Sequence, residues 1–184
     1  MATQYRSAPL QKARDGDMAS FEAIFEAYHQ RICRYLSSLV NDLELAEDLA
    51  QQTFLKAYRA LGRGSSPDNL QAWLYAIATN TALSALRRRR LIRWLPFGPQ
   101  AERAASPELD HDARLGQQEL LRLALAKLPP GDVACLLLRL QQGLSYGELA
   151  ETLGTSIPAA RMRVSRARAA FREAYLRLSE EEKR

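Results

Sequence analysis

The stretch Leu144-Ser145-Tyr146-Gly147-Glu148-Leu149-Ala150-Glu151-Thr152-Leu153-Gly154-Thr155-Ser156 reads as a short helix, a tight turn and the start of a second helix. Leu149, Ala150 and Leu153 form the apolar side of the first helix. Ala150 is small enough for two helices to cross closely, and Gly154 offers the backbone freedom that a tight turn needs. Ser156 is placed to cap the second helix, and Pro158 falls in its first turn, where a missing N–H costs little. That helix is expected over Ile157 to about Leu178, with Ile157, Val164 and Phe171 inward and Glu180 to Arg184 as a solvated tail. It carries Arg161, Arg163, Arg166, Arg168 and Arg172, with Glu173 as the one acid beside them. A cationic rod in a helix-turn-helix suits the DNA major groove, early residues at base edges and later arginines on phosphate. A solvated basic face on a structural helix is the plainer reading of the same residues.

Working outward, Arg114 to Leu128 is expected to be helical and to stop at Pro129-Pro130. Asp132 is expected to cap a helix running to Gln142 and ending at Gly143. From Trp94 to Ala113 the chain has Pro96, Pro99 and Pro107 and no helical periodicity, which reads as a flexible linker. Before it, Phe21, Ile24, Phe25, Tyr28, Ile32, Tyr35, Leu36 and Leu39 fall on one face of a helix from Asp17, its expected N-cap, to Val40. A second helix is expected from Leu43 to Leu61, ended by the loop from Gly62. A third starts near Asp68 or Asn69 and reaches Arg87 to Arg90, with Leu70, Trp73, Leu74, Ile77, Ala78, Thr81 and Ala85 inward. The expected architecture is all-α: two small helical domains, an N-terminal bundle over 1–93 and a C-terminal helix-turn-helix domain over 114–184, joined by the flexible linker 94–113.

Several function classes fall away. The longest apolar runs, such as Val133 to Leu138, are far short of the roughly 20 residues of a membrane span, so no membrane insertion is expected. The N-terminus lacks the apolar stretch of a signal peptide, and a cytoplasmic location is expected. Cys33 and Cys135 lie far apart without C-x-x-C spacing and read as small buried hydrophobes. His29 and His111 have no partners at ligand spacing and read as surface histidines, so no metal site is expected. With no phosphate-cradling loop and no nucleophile motif, no cofactor, no catalytic residues and no enzymatic activity are expected. The net charge of +5, from 26 basic and 21 acidic residues, favours a polyanionic partner only modestly. The clustering of the charges says more than their sum.

The second helix opens with Asp42, Glu44, Glu47 and Asp48. Acids in a first turn favour the helix dipole, and exposed Asp48, Gln51 and Gln52 equally make a polar docking face. The third helix ends in Arg87, Arg88, Arg89 and Arg90 beyond aromatic Trp73 and Tyr75. Stacking surfaces beside a cationic track suit single-stranded nucleic acid. A cation cluster at a helix C-terminus also suits the dipole, and Trp73 also fits a core position.

Asp42 through Arg59 and Ala72-Trp73-Leu74-Tyr75-Ala76-Ile77-Ala78-Thr79-Asn80-Thr81-Ala82 resemble region 2 of bacterial RNA polymerase sigma factors. Leu128-Pro129-Pro130 onward, through Gly143-Leu144-Ser145-Tyr146 and Arg163-Val164-Ser165-Arg166-Ala167-Arg168, resembles region 4. The resemblance is to the small extracytoplasmic-function (ECF) type of the sigma-70 family. It implies a factor that binds core polymerase, recognises the −10 and −35 promoter elements, helps melt the −10 region and directs initiation. On it, Asp48, Gln51 and Gln52 dock on the β′ coiled coil. Gly62, Arg63, Gly64, Ser65, Ser66, Pro67, Asp68 and Asn69, with Asn80, hold a base flipped from the single-stranded −10 element, beside Trp73 and Tyr75. Arg87, Arg88, Arg89 and Arg90 lie along the DNA backbone. Ser156, Ala159, Arg161, Met162, Arg163, Ser165 and Arg166 belong to the helix that reads the double-stranded −35 element. The resemblance further implies a β flap contact for region 4 and often a sequestering anti-sigma factor. The chain departs from the pattern at Gln52, where an acid is common, at Ile157-Pro158, and at Ala160, where a β-branched residue is frequent. The alternatives are a stand-alone helix-turn-helix regulator, which would protect a symmetric duplex site without polymerase, and a helical interaction protein that binds no DNA.

Overall fold

The computed structural model describes residues 18–93 and 113–182. Its elements are α1 (Met18–Val40), α2 (Leu43–Gly62), α3 (Leu70–Arg93), α4 (Ala113–Ala126), α5 (Pro130–Leu136), a π-helical turn (Leu137–Gln141), α6 (Tyr146–Leu153) and α7 (Ile157–Glu182). Among the described residues there is no strand, as the all-α reading requires. Asp17, residues 94–112 with His111, and Lys183 and Arg184 lie outside the described residues. Ala113, expected as the last linker residue, already belongs to α4.

The first three helices pack through the stripes read from their periodicity. On α1, Ile24, Ile32, Tyr35, Leu36 and Leu39 are buried, whereas Phe25 is 37% exposed and only partly inward. Asp42 caps α2 by accepting a hydrogen bond from the Leu45 N–H at 2.9 Å. Asn69 caps α3 in the same way, its side-chain oxygen accepting from the Ala72 N–H at 3.1 Å. Of the expected inward residues of α3, Leu74, Ala78 and Thr81 are buried, and Leu70, Trp73, Ile77 and Ala85 are half-buried. Ala72, Tyr75, Thr79 and Ala82 are buried as well, so α3 is enclosed on more than one side. Inside, Tyr35 and Tyr75 meet edge to face at 5.2 Å, and the Tyr35 hydroxyl shares a 2.7 Å hydrogen bond with Thr79. That bond satisfies a phenol which would otherwise be a costly buried polar group.

In the second half Asp132 does not cap α5. The N-cap is Pro129, with no side-chain hydrogen bond, and Pro130 supplies a pre-set φ for the first turn. Asp132 sits in that turn and pairs instead with Arg163 on α7, Nε to Oδ1 at 2.8 Å. The expected single helix to Gln142 widens after Leu136 into the π-helical turn, which closes where the Gln142 N–H reaches the Leu137 carbonyl at 3.0 Å. Gly143 then takes φ +71 and ends the segment. The capping box of Ser145 and Glu148 starts α6, and Gly154 at φ 60 stops it in the left-handed region, where glycine has no Cβ penalty. Ser156 caps α7, accepting from the Ala159 N–H at 3.3 Å.

The buried row of α7 is Ala160, Val164 and Ala167, with Phe171 half-buried. Ile157, expected inward, sits a turn ahead of that row and is 46% exposed. The expected tail is likewise corrected at Glu180 to Glu182, which continue α7. Its last turns run beside the end of α4, where Leu128, Pro129, Ala174 and Leu178 line a shared groove.

The two halves are also in contact, chiefly through α3 and α6. The Thr152 hydroxyl donates to the Ala72 carbonyl at 3.3 Å, and the Gln71 side chain donates to the Gln142 carbonyl at 3.4 Å. The Tyr75 hydroxyl donates to the Gln142 side chain, and the Asn69 amide to the Glu148 carboxylate.

Candidate nucleic-acid interface

On α2 the helical repeat turns Asp48, Gln51 and Gln52 to one side, and all three are exposed. Leu55, 53% exposed and four residues beyond Gln51, extends that face with an apolar side chain. Its apolar type at an outward register was the available signal, and the motif reading passed over it. Phe25 packs on His29 at 4.5 Å and on Phe54 at 4.9 Å between ring centroids. His29 is therefore half-buried among rings rather than a surface histidine, and its Nε2 is 3.5 Å from the Cys33 sulfur. Burial, with a smaller push from Glu47, raises the Cys33 pKa. Among the described residues no group of three or more His, Cys, Asp or Glu could hold a metal ion.

The loop after α2 folds back on its end. The Gly64 N–H donates to Leu61 at 2.9 Å and the Ser65 N–H to Ala60 at 3.0 Å, with Gly64 at φ 92. Gly62, Arg63, Gly64, Ser66 and Asp68 are exposed, while Ser65, Pro67 and Asn69 are half-buried. Asn80 is exposed and Trp73 half-buried. Tyr75 is fully buried, and desolvation pushes its phenol up to about 12. Thus the loop and Asn80 face solvent, whereas Asn69 and Tyr75 are engaged by Glu148 and Gln142 of the other half.

Arg87, Arg88, Arg89 and Arg90 are all exposed at the end of α3. Arg89 pairs with Asp42 at 2.9 Å, joining the cationic run to the cap of α2. The Leu45 N–H and then Arg89 hold the Asp42 carboxyl below its ordinary pKa. On α7, Ser156, Ala159, Arg161, Met162, Arg163, Ser165 and Arg166 are exposed, on sides that the buried row leaves free. They are not equally available. Arg163 is tied to Asp132, and its guanidinium lies over Gly131, where a Cβ would clash with Nη2. The Arg161 guanidinium carbon lies 5.2 Å from the Tyr146 ring centroid, and that of Arg139 lies 4.8 Å from it. The contacts of Asp132, Gly131, Tyr146 and Arg139 are not legible in motif spacing because their partners lie on other helices.

A model of Sigma-70 region 2 matches residues 24–92, and a model of Sigma-70, region 4 matches residues 118–171. The ECF RNA polymerase sigma factor SigE of Mycolicibacterium smegmatis is 34% identical over 169 residues, covering 89% of this chain and 65% of its own length. The RNA polymerase sigma factor YlaC of Bacillus subtilis is 33% identical, covering 89% of this chain and 96% of its own. The chain thus spans just under two thirds of the mycobacterial relative and nearly all of the Bacillus one. Among solved structures, CnrH in complex with the cytosolic domain of CnrY superposes with a TM-score of 0.68 at 25% identity, over 90% of this chain and 93% of that one. The sigma factor RpoE in complex with the anti-sigma factor NepR from Bartonella quintana gives a TM-score of 0.64 at 26% identity, over 84% and 95% of the two chains.

Proposed function

We infer how this chain works from what it is: it belongs to the sigma-70 family, as an RNA polymerase sigma factor of the ECF type. Its work is binding rather than catalysis, carried out in the cytoplasm on core polymerase and promoter DNA. The observation that carries this reading is the presence in one chain of two outward faces: the polar stripe of α2 and the arginine-bearing side of α7. One suits a protein scaffold, the other a duplex; on this reading the first belongs to a domain over 1–93 and the second to a domain over 114–184.

Asp48, Gln51 and Gln52, with Leu55, form the surface for the β′ coiled coil. The exposed side of α7 reads the −35 duplex, and the second half also contacts the β flap. The loop Gly62 to Asn69, Trp73 and Asn80 take the flipped −10 base, while Arg87 to Arg90 follow the backbone. Unstacking a base costs a few kcal/mol, offset by its capture and by contacts already made at −35 on the same polymerase. Tethering makes each later contact effectively intramolecular, so each element can be weak alone. Asn69 and Tyr75 join the −10 site only once Glu148 and Gln142 let go, so α3 and α6 must separate on the polymerase. A sequestering anti-sigma factor would act by holding such faces out of reach.

The test is run-off transcription from fragmented genomic DNA with purified core polymerase, with and without the chain. Discrete transcripts requiring both proteins are the expected result. Duplex footprints without polymerase, and no transcripts, would favour the stand-alone regulator instead.

A further inference from the structure

The arginines at the start of α7 differ in what holds them. Arg163 is spent on Asp132, an ion pair joining α5 to α7. Among the described residues Arg161 makes no such ion pair; its guanidinium rests against the Tyr146 ring. Arg139 comes to the same ring from the π-helical turn. There its Nη1 donates to the Leu144 carbonyl at 3.0 Å, and its Nε is buried with no hydrogen-bond partner among the described residues. An unpartnered buried N–H costs free energy, and the carbonyl and the ring hold the guanidinium there against that cost. Tyr146 is itself fixed: it opens α6 directly after Ser145, whose side chain and N–H are both bonded to Glu148. The ring is thus a shelf packed partly buried against the core, carried on a backbone set by the capping box and flanked by the Arg139 guanidinium.

A long arginine side chain loses rotamer freedom when DNA immobilises it. Stacking on a fixed aromatic ring removes part of that freedom beforehand, through cation–π attraction within about 6 Å. Two guanidinium groups at one ring also repel each other, which favours an acceptor arriving at the exposed one. The acceptor that best fits the planar fork of an arginine in a major groove is the O6 and N7 edge of guanine.

We propose that Tyr146 is a positioning residue for −35 recognition, holding Arg161 ready to read a guanine while Arg139 braces the ring. The proposal rests on the sigma-factor reading of α7 and adds a residue outside the recognition helix that sets its specificity. Replacing the ring by an aliphatic side chain frees Arg161 and weakens one base preference, without removing any DNA-contacting group.

The test uses the full chain with core polymerase on a promoter library randomised through the −35 element, each variant first checked for wild-type helix content and melting. Arg161→Ala identifies the position that Arg161 reads, as loss of guanine preference there. Tyr146→Leu is expected to reduce the preference at that position by about two- to fivefold, and Tyr146→Phe, which keeps the ring, to retain it. In the Arg161→Ala background Tyr146→Leu should change that position no further. An undiminished preference in Tyr146→Leu, or an equal further loss on top of Arg161→Ala, would overturn the role given to Tyr146 while the sigma reading stands. A wild-type chain that selects no −35 sequence at all would overturn both. A melting deficit in Tyr146→Leu leaves the decision to Tyr146→Phe and Tyr146→Trp, since loss of the preference in those ring-bearing variants would also refute the shelf.

Discussion

Two thiols and one run of arginines show how far a residue's chemistry depends on its neighbours. Cys135 is buried, and desolvation pushes its thiol up to about 11. Cys33 is half-buried beside His29 and is raised as well, by burial and then by Glu47. The thiolate is the nucleophile, so both side chains should be slow near neutral pH. Iodoacetamide at pH 7.5 is expected to label Cys33 slowly and Cys135 only after denaturation, read by mass spectrometry; rapid labelling of native Cys135 would contradict its burial. Among the arginines, neutralising Arg87, Arg88 or Arg90 should each lower the magnitude of the salt slope of promoter binding by up to about 0.9 on duplex, or about 0.7 on single strand. Arg89→Gln should lower it less, because Arg89 must leave Asp42 before it meets a phosphate. Equal slopes for all four variants and the wild type would remove the backbone track from the mechanism.

At the scale of elements, Asp42 joins the start of α2 to the end of α3 through its cap on Leu45 and its pair with Arg89. Asp42→Ala should cost about 1 kcal/mol of stability at pH 7, the worth of an N-cap, measured by urea unfolding. The folded-state pKa of Asp42 is lowered, so the ionised contribution is present above the ordinary carboxylate pKa of about 3.9 and fades as pH falls through the folded value. The gap between wild type and Asp42→Ala should accordingly narrow below about pH 4; a gap that widened in acid would refute the assignment. Helix ends of this kind were readable in advance wherever the stop or start is local chemistry: Gly154 and Ser156 bound α6 and α7 as expected. Asp132 was misread because a carboxylate in a first turn resembles a cap until its partner, Arg163, is known from another helix. The π-helical turn escaped because a run of apolar residues from Val133 to Leu138 satisfies the 3.6 period and the wider turn alike. The outward register of α2 and α7 was legible from spacing, yet the tethering of Arg161 and Arg163 was not, since it depends on side chains over twenty residues away or across a turn.

For the molecule as a whole, the decisive feature is one that periodicity marks only in hindsight: α3 buries Ala72 outside its expected stripe, and Tyr75 meets both Tyr35 of its own bundle and Gln142 of the other half. A helix buried on more than one side needs a second partner, and that partner is α6 of the other half. The contact is polar as well as apolar. Gln142 supplies acceptors to Tyr75 and Gln71, and Thr152 donates to Ala72, so three hydrogen bonds depend on two side-chain positions or their backbone. Net hydrogen bonds are worth about 1 kcal/mol each, whereas the covalent link between the two halves makes separation and return a local equilibrium rather than a concentration-dependent one. Gln142→Ala with Thr152→Val removes the Tyr75 and Thr152 bonds while sparing the Gln71 bond to the Gln142 carbonyl. It should shift that equilibrium toward separation by about 2 kcal/mol, or roughly thirtyfold. The expected outcomes are a larger radius of gyration by small-angle scattering and tighter binding of a single-stranded −10 oligonucleotide in the absence of polymerase. Unchanged size with unchanged oligonucleotide affinity would mean that the contact between α3 and α6 does not limit access to the −10 face. Larger size without tighter binding would leave Asn69 and Tyr75 as structural residues and return base capture to the exposed loop, Trp73 and Asn80.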